Sequence, residues 1–367
     1  MRKFGFLLLA SMLTIAPLTA CRDRSAQTGQ TPQTGQAAQT TGTEGKSQQG
    51  ASRIDTILNR GKLICGVSGQ LPGFSFVDEK GKYSGLDVDV CRAIAAVIFD
   101  DPEKVEYRNL NAKERFTVLQ AGEIDILSRN TTYTVSRDST TGLEFAPVIF
   151  YDSQSIMVKK NSGIKSLKDF AGKSICVQTG TSTEQNLSDQ MRKLGVKYTP
   201  VVFEDVNATF ATYQEGRCQG VTADRSQLVS KRTTLPNSDN NVILPEVMSK
   251  EPLAPAVKSG DPKWSDAVRW IIFAAIEAED LGINSTNVDQ IATSSTDPNI
   301  KRLLGKEGDL GKGLGLPNDY AARIVKKVGN YGEMYDRNIG PKSTLKLDRG
   351  QNKLWKDGGL MYSPPFR

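Results

Sequence analysis

The chain has 367 residues, 38% of them apolar and 24% charged, with a formal net charge of +6. That length suits one large or two medium domains, and the scattered Lys and Arg form no concentrated basic face, so no nucleic-acid partner is expected. The chain contains no histidine, which excludes Ser-His and Cys-His nucleophile pairs and His-ligated zinc, and with them most common hydrolase mechanisms, and leaves carboxylate- or lysine-based catalysis open.

Arg2-Lys3 is a short basic start, and the apolar run over 4–16 is too short to span a bilayer. Leu18-Thr19-Ala20-Cys21 then sets small residues before a cysteine, which predicts a secretory signal over 1–21. The same tetrapeptide resembles the bacterial lipobox, in which the cysteine becomes the lipid-bearing first residue of the mature protein; an ordinary signal with a chance cysteine is the alternative. On the first reading everything after Cys21 works outside the cytoplasm, in the periplasm or at the cell surface, and touches the membrane only through its lipid. Residues 22–52 are Gln, Thr, Gly and Ser with almost nothing apolar. Such a segment cannot bury enough surface to offset its ordering entropy and reads as a disordered tether.

Ser52-Arg53 reads as the cap and first turn of a helix over 54–60 ended by Gly61, followed by a buried strand over 63–67. Residues 74–77 and 82–84 flank Asp78-Glu79-Lys80-Gly81 as a hairpin. Val88, Cys91, Ile94, Ala95 and Ile98 recur at helical spacing after Asp87, whose carboxylate, like that of Asp89, reads as a helix-start cap rather than a catalytic pair. Strands over 105–107, 124–127, 155–158, 174–177, 199–203 and 220–223 then alternate with helices over 115–121, 167–170, 184–194 and 208–214. This alternation predicts α/β architecture with largely parallel sheets. A long helix over 265–281 follows, then a short one over 300–304 and two at about 320–328 and 331–336. Gly305, Gly308, Gly311, Gly313 and Gly315 fit neither a Walker loop nor a dinucleotide fingerprint and read as a flexible surface loop. No cofactor is expected.

Three polar segments sit just after buried strands, where open α/β sheets bind ligands. They are Ser128-Arg129-Asn130-Thr131-Thr132 running on to Arg137, Gln178-Thr179-Gly180-Thr181-Ser182-Thr183-Glu184 opening a helix, and Thr222-Ala223-Asp224-Arg225. Free backbone N–H groups at Thr181, Ser182 and Thr183 favour an anion. Arg129 or Arg137 can grip a carboxylate in bidentate fashion, and Asp224 can pair with an ammonium. A small zwitterion is the simplest ligand matching all three. Each segment alone has a structural alternative: a helix cap, a surface ion pair, a turn.

Tyr83-Ser84-Gly85-Leu86-Asp87-Val88-Asp89-Val90 and Thr132-x-Thr134-x-x-Arg137 resemble segments of the polar amino-acid (family 3) solute-binding proteins of ABC importers. Leu71-Pro72-Gly73-Phe74, Ala112-Lys113-Glu114-Arg115-Phe116, Leu127-Ser128-Arg129-Asn130-Thr131-Thr132, Gly329-Asn330-Tyr331-Gly332-Glu333-Met334 and Gly358-Gly359-Leu360-Met361-Tyr362 resemble its general L-amino-acid-binding branch. The resemblance implies a two-lobed, type II periplasmic-binding-protein fold with two hinge crossover strands. Lobe one would hold 53–153 and 254–367, the latter with a C-terminal extension, and lobe two 154–253. It implies that Arg137 holds an α-carboxylate with the backbone at Thr132 and Ser182, that Asp224 takes the α-ammonium, and that Asn130 and Thr132 assist. Phe74 or Phe76 would cover the ligand side chain. Arg129-Asn130 stands where small hydroxyl residues are common in the family, which bears on pocket size and charge.

Cys65, Cys91, Cys176 and Cys218 allow three pairings, and no CxxC pair suggests a metal. Cys65–Cys91 with Cys176–Cys218 is favoured because each bond stays within one lobe; buried free thiols are the alternative. The chain is thus expected to be a monomeric, non-enzymatic binder of free L-amino acids that delivers them to ABC permease membrane subunits. A dehydratase on the same scaffold would need a pocket acid, with Glu114 and Glu184 as candidates, and a sensory lobe would want a transmembrane or signalling segment.

Overall fold

The computed structural model describes residues 52–367; the expected signal, the lipidation site Cys21 and the tether up to residue 51 lie outside the described residues. The helix Arg53–Arg60 starts where Ser52 Oγ accepts from Ile54 N at 3.3 Å and donates to Asp261 Oδ2 at 3.1 Å, so one hydroxyl fixes the helix start to a distant loop.

The strands in chain order are β1 (Leu63–Val67), β2 (Gln70–Leu71), β3 (Ser75–Val77), β4 (Tyr83–Ser84), β5 (Val105–Asn109), β6 (Ile126–Leu127), β7 (Leu143–Phe145), β8 (Phe150–Lys159), β9 (Ser174–Gln178), β10 (Thr199–Phe203), β11 (Gly220–Asp224), β12 (Asn241–Ile243), β13 (Lys250–Leu253) and β14 (Ala256–Lys258). One sheet runs β5-β1-β6-β14-β7, the other β10-β9-β11-β8-β12 with β13 also on β8, and β2-β3-β4 form a small antiparallel ribbon. Parallel pairing holds among β5, β1 and β6 and among β10, β9 and β11. The chain passes through a helix between β1 and β5, β5 and β6, β9 and β10, and β10 and β11, the crossover that parallel pairing requires.

Each sheet is the centre of one lobe. In the first, the helix Pro262–Asp280 buries Trp264, Ala267, Val268, Ile271, Ala274 and Ala275 in a single core with the helix Leu86–Phe99 and β1. Trp264 Nε1 donates to Asp125 O at 2.9 Å, so the indole reaches the core with its polar edge satisfied. A second core of the first lobe gathers Leu119, Ile124, Leu127, Phe145 and Ala256, and the second lobe has two cores, one on each face of its sheet, with the Cys176–Cys218 bond in one of them. Cys65–Cys91 ties β1 to the helix above it in the first lobe.

β8 and β13 carry the chain between the lobes. They run antiparallel, with Ser153, Asp152, Tyr151 and Phe150 opposite Lys250, Glu251, Pro252 and Leu253. Beyond Ser153, β8 becomes a central strand of the second sheet, and beyond Leu253 the chain enters β14 of the first.

Several elements differ from expectation. β8 begins at Phe150 rather than 155, because its first half lies between the lobes and lacks the apolar run that marks a core strand. β7, β12, β13 and β14 are short and mixed in polarity, and a further helix, Val135–Thr140, has no buried residue to announce it. The glycine-rich stretch is no free loop. Gly311 lies buried in the helix Leu310–Leu314, where an added Cβ would sit 2.4 Å from Pro317 O. Asp87 and Asp89 are not simple caps either: Gly85 caps their helix without a side-chain bond, and both carboxylates turn into the protein. Asp89 receives Arg337 Nη2 at 2.7 Å.

Candidate functional site

The three polar segments converge where the lobes meet. The first leaves β6 and reaches Asn130, whose φ of 30° lies in the left-handed region that Asn tolerates better than most residues. Asp87 holds that turn, accepting from Asn130 N at 3.0 Å and Ser128 Oγ at 3.4 Å. Burial raises the Asp87 carboxyl to about 6 despite these bonds and the Arg129 and Arg115 guanidiniums. Thr134 then caps the helix Val135–Thr140, its Oγ1 accepting from Arg137 N at 3.3 Å. Arg137 folds back so that Nη1 donates to Thr132 O at 2.8 Å and the guanidinium lies 5.2 Å from the Phe116 ring centroid.

The second segment opens the helix Ser182–Leu194. Thr181 Oγ1 accepts from Glu184 N at 3.1 Å and donates to Gln178 O at 2.7 Å, while lying 2.8 Å from Thr183 Oγ1. Ser182 and Thr183 occupy the first turn, whose N–H groups have no intrahelical acceptor. Gly180 has a φ of +74°, and an added Cβ would meet the Lys113 backbone at 3.0 Å, so the other lobe approaches closely here.

The third segment ends β11 at Asp224, which is 5% exposed. Among the described residues no hydrogen bond from the protein reaches its carboxylate. Burial, then the charges of Asp152 and Glu251, raise its pKa well above the usual carboxylate value, and Arg115 and Arg137 oppose that shift. Arg137 in turn faces Glu251 and Asp224. The expected cation and anion therefore lie within mutual electrostatic reach, one on each lobe.

Four participants were not anticipated. Glu251 is 1% exposed, and its Oε2 accepts from Thr132 Oγ1 at 2.6 Å on one lobe and Ser182 Oγ at 2.7 Å on the other. Asn186 Nδ2 completes it at 2.7 Å to Oε1. Asp152 stands opposite Glu251 in the β8–β13 pair and accepts from Ser226 N and Oγ; burial pushes its carboxyl up to about 6, against those bonds and with Glu251's charge. Arg115 is 3% exposed and bridges the lobes, donating to Thr131 Oγ1 at 3.2 Å and Gly180 O at 3.4 Å, with no partner for its Nε among the described residues. Its guanidinium lies 4.8 Å from the centroid of the same Phe116 ring. Burial and the Arg137 and Arg129 charges work against its own charge, which a guanidinium nonetheless keeps. Arg115 and Phe116 lay in a motif already singled out, without a role; the hinge carboxylates carried no local signal.

The aromatic candidates stand apart. Phe74 is a core residue, edge-on to Phe150 at 5.2 Å, and Phe76 is 37% exposed on the β2-β3-β4 ribbon. Glu114 and Glu184 are structural: Glu114 Oε1 accepts from Asn111 N at 2.7 Å, and Glu184 Oε2 from Thr179 Oγ1 at 3.1 Å and Gly180 N at 3.0 Å. Among the described residues no cluster of His, Cys, Asp and Glu is arranged to hold a metal, and no helix is long and apolar enough to cross a membrane.

Comparison with known proteins places this geometry in context. The profile of the bacterial extracellular solute-binding proteins, family 3, matches residues 63–282. The chain is 50% identical over 325 residues to the general L-amino acid-binding periplasmic protein AapJ of Rhizobium johnstonii, covering 88% of this chain and 95% of that one. It is 48% identical over 317 residues to the glutamate/glutamine/aspartate/asparagine-binding protein BztA of Rhodobacter capsulatus, covering 86% and 94%. A solved ABC transporter periplasmic binding protein from Brucella ovis, with glutathione bound, superposes with a TM-score of 0.84 at 48% identity over 87% of this chain and all of that one.

Proposed function

The chain belongs to the bacterial extracellular solute-binding proteins of family 3, and on that premise we propose that it captures L-amino acids outside the cytoplasm and delivers them to the membrane subunits of an ABC importer. One observation carries the reading: a guanidinium on one lobe and, on the other, a buried carboxylate that receives no hydrogen bond among the described residues, each within reach of the other's charge. Arg137 takes the α-carboxylate together with Asn130, Thr132 and the first-turn N–H groups of Ser182 and Thr183 beside Thr181. Asp224 takes the α-ammonium. Both poles belong to every free amino acid, so recognition of the poles alone admits many side chains, in keeping with the names of the relatives. The glutathione in the Brucella relative supports a cleft that tolerates ligands longer than one amino acid.

A ligand held from both lobes favours the closed arrangement, because only differential affinity shifts such an equilibrium. Binding without turnover is supported by the structural hydrogen bonds that occupy Glu114 and Glu184. Cys21 is read as the lipid anchor of a monomer that reaches its permease from a membrane-tethered position.

The test is isothermal titration of the purified protein with a panel of amino acids. A charge-assisted hydrogen bond contributes roughly 1.5–3 kcal/mol, so Arg137→Ala and Asp224→Ala should each weaken binding by roughly tenfold to a hundredfold or more. Wild-type affinity in either variant refutes the assignment.

A further inference from the structure

Gln154, at 0% exposure, is a polar side chain buried beside the carboxylate of Asp224. The two residues stand directly opposite one another in the β8–β11 pair, so their side chains share one face of the second sheet, with Cβ atoms about 5 Å apart. Thr222, two positions before Asp224, and Asp152, two positions before Gln154, lie on the same face.

The Gln154 amide has one committed end and one open end. Nε2 donates to Thr183 O at 2.9 Å and to Thr222 Oγ1 at 2.9 Å. A backbone carbonyl can only accept, and Thr222 Oγ1 spends its own proton on Ser155 O at 2.7 Å. Both partners are therefore acceptors, and the NH2 group must face them. Oε1 is fixed at the other end, where it meets no donor among the described residues. The neighbouring Asp224 carboxylate is likewise buried and receives no hydrogen bond among them.

A buried acceptor without a donor is costly, and two side by side call for a ligand that serves both. The ammonium of an amino acid carries three N–H bonds spread in space, enough for the amide oxygen and the carboxylate together. Location agrees. Gln154 touches Thr183, whose N–H is assigned to the α-carboxylate, and lies next to Asp224, so it sits between the receivers of two poles that one carbon separates.

We infer that Gln154 is a ligand contact that takes one N–H of the α-ammonium while Asp224 takes the others, and that it thereby selects primary over N-substituted amino acids. The inference deepens the amino-acid reading above and rests on it. A secondary ammonium has two N–H bonds and a carbon in place of the third. Either Oε1 loses its donor or that carbon is pressed against it, and a site built to hydrogen-bond a group rejects the analogue lacking it. The ligand's own side chain plays no part, so the selection is the same for every amino acid bound.

The experiment measures Kd by isothermal titration for L-glutamate, N-methyl-L-glutamate, L-alanine and N-methyl-L-alanine on the wild type, on Gln154→Met and on Thr222→Val. Met keeps the length of the side chain and removes the acceptor, whereas Val keeps Gln154 and releases its amide. The wild type should prefer each primary amine over its N-methyl derivative by about tenfold or more. That ratio should fall by about tenfold in Gln154→Met, equally for both pairs, and should fall also in Thr222→Val. Because it compares two ligands on one protein, a general loss of stability or closure cancels from it. Equal wild-type affinities within a pair overturn the assignment. So does a ratio unchanged in Gln154→Met or, if that variant does not fold, in Thr222→Val; Oε1 then belongs to a resident water. A wild type that binds neither L-glutamate nor L-alanine overturns the amino-acid reading itself, which keeps the two failures apart.

Discussion

Asp87 shows how a single buried carboxyl can shape a binding loop while taking no ligand. Its two hydrogen bonds hold the left-handed turn at Asn130, from which Nδ2 reaches Gln227 Oε1 of the other lobe at 3.3 Å. Burial raises its pKa from 3.8 to about 6, so the folded protein keeps a proton that the unfolded chain releases. Its contribution to stability is therefore full below about pH 4 and is lost as pH rises through about 6. The difference is on the order of 2–3 kcal/mol. Urea titrations at pH 4 and pH 7 should show this decline in the wild type and a smaller one in Asp87→Asn; equal declines would exclude the carboxyl as its source. Ligand affinity should move the opposite way. Burial raises both Asp152 and Asp224, and an incoming ammonium must displace any proton held there, so amino-acid binding should weaken as pH falls. That dependence should be much reduced in Asp224→Asn.

At the scale of elements, the hinge strands are the decisive pair. Tyr151 of β8 faces Pro252 of β13 on one side, and on the other it meets the side chain of Asn352. Asn352 Oδ1 accepts from Tyr151 N at 2.6 Å and Nδ2 donates to Tyr151 O at 3.1 Å, standing in for a third strand at an edge that would otherwise leave backbone groups unpaired. The C-terminal segment thus braces the crossover. Asn352→Ala should cost about 1–3 kcal/mol, visible as a lowered Tm and as faster amide exchange along β8; unchanged exchange there would place the bracing elsewhere. In the second lobe Cys176–Cys218 spans 42 positions, and its loss should cost up to about 4 kcal/mol on the chain-entropy model. A Cys176→Ser/Cys218→Ser protein should lose exchange protection in that lobe first.

For the molecule as a whole, closure is held by several modest contacts around one concentrated site. Lys113–Glu204 at 2.6 Å, Gln70–Asp205 and Ser230 Oγ to Pro72 O at 2.7 Å link the lobes away from the charged centre. Lys113 and Glu204 are well exposed, so Lys113→Ala should leave affinity nearly unchanged. Ligand should shift the ensemble toward the compact form, seen as a smaller radius of gyration in solution scattering, and Arg137→Ala should show no such shift at the same concentration.

Much of this was readable in the chain itself, for local reasons. Short apolar runs marked the core strands and helical spacing marked the helix after Asp87, and Arg137, Asp224 and the Thr181–Thr183 hydroxyls stood out by following buried strands. The charges that surround them were not readable. Asp152 and Glu251 meet only through the β8–β13 register, Arg115 reaches Gly180 only when the lobes touch, and Phe74 packs in the core against Phe150. Sequence pattern reports what each segment buries against its own sheet. Which polar groups share a low-dielectric space, and hence which carboxyls rise and which guanidiniums remain short of partners, is decided by long-range packing alone.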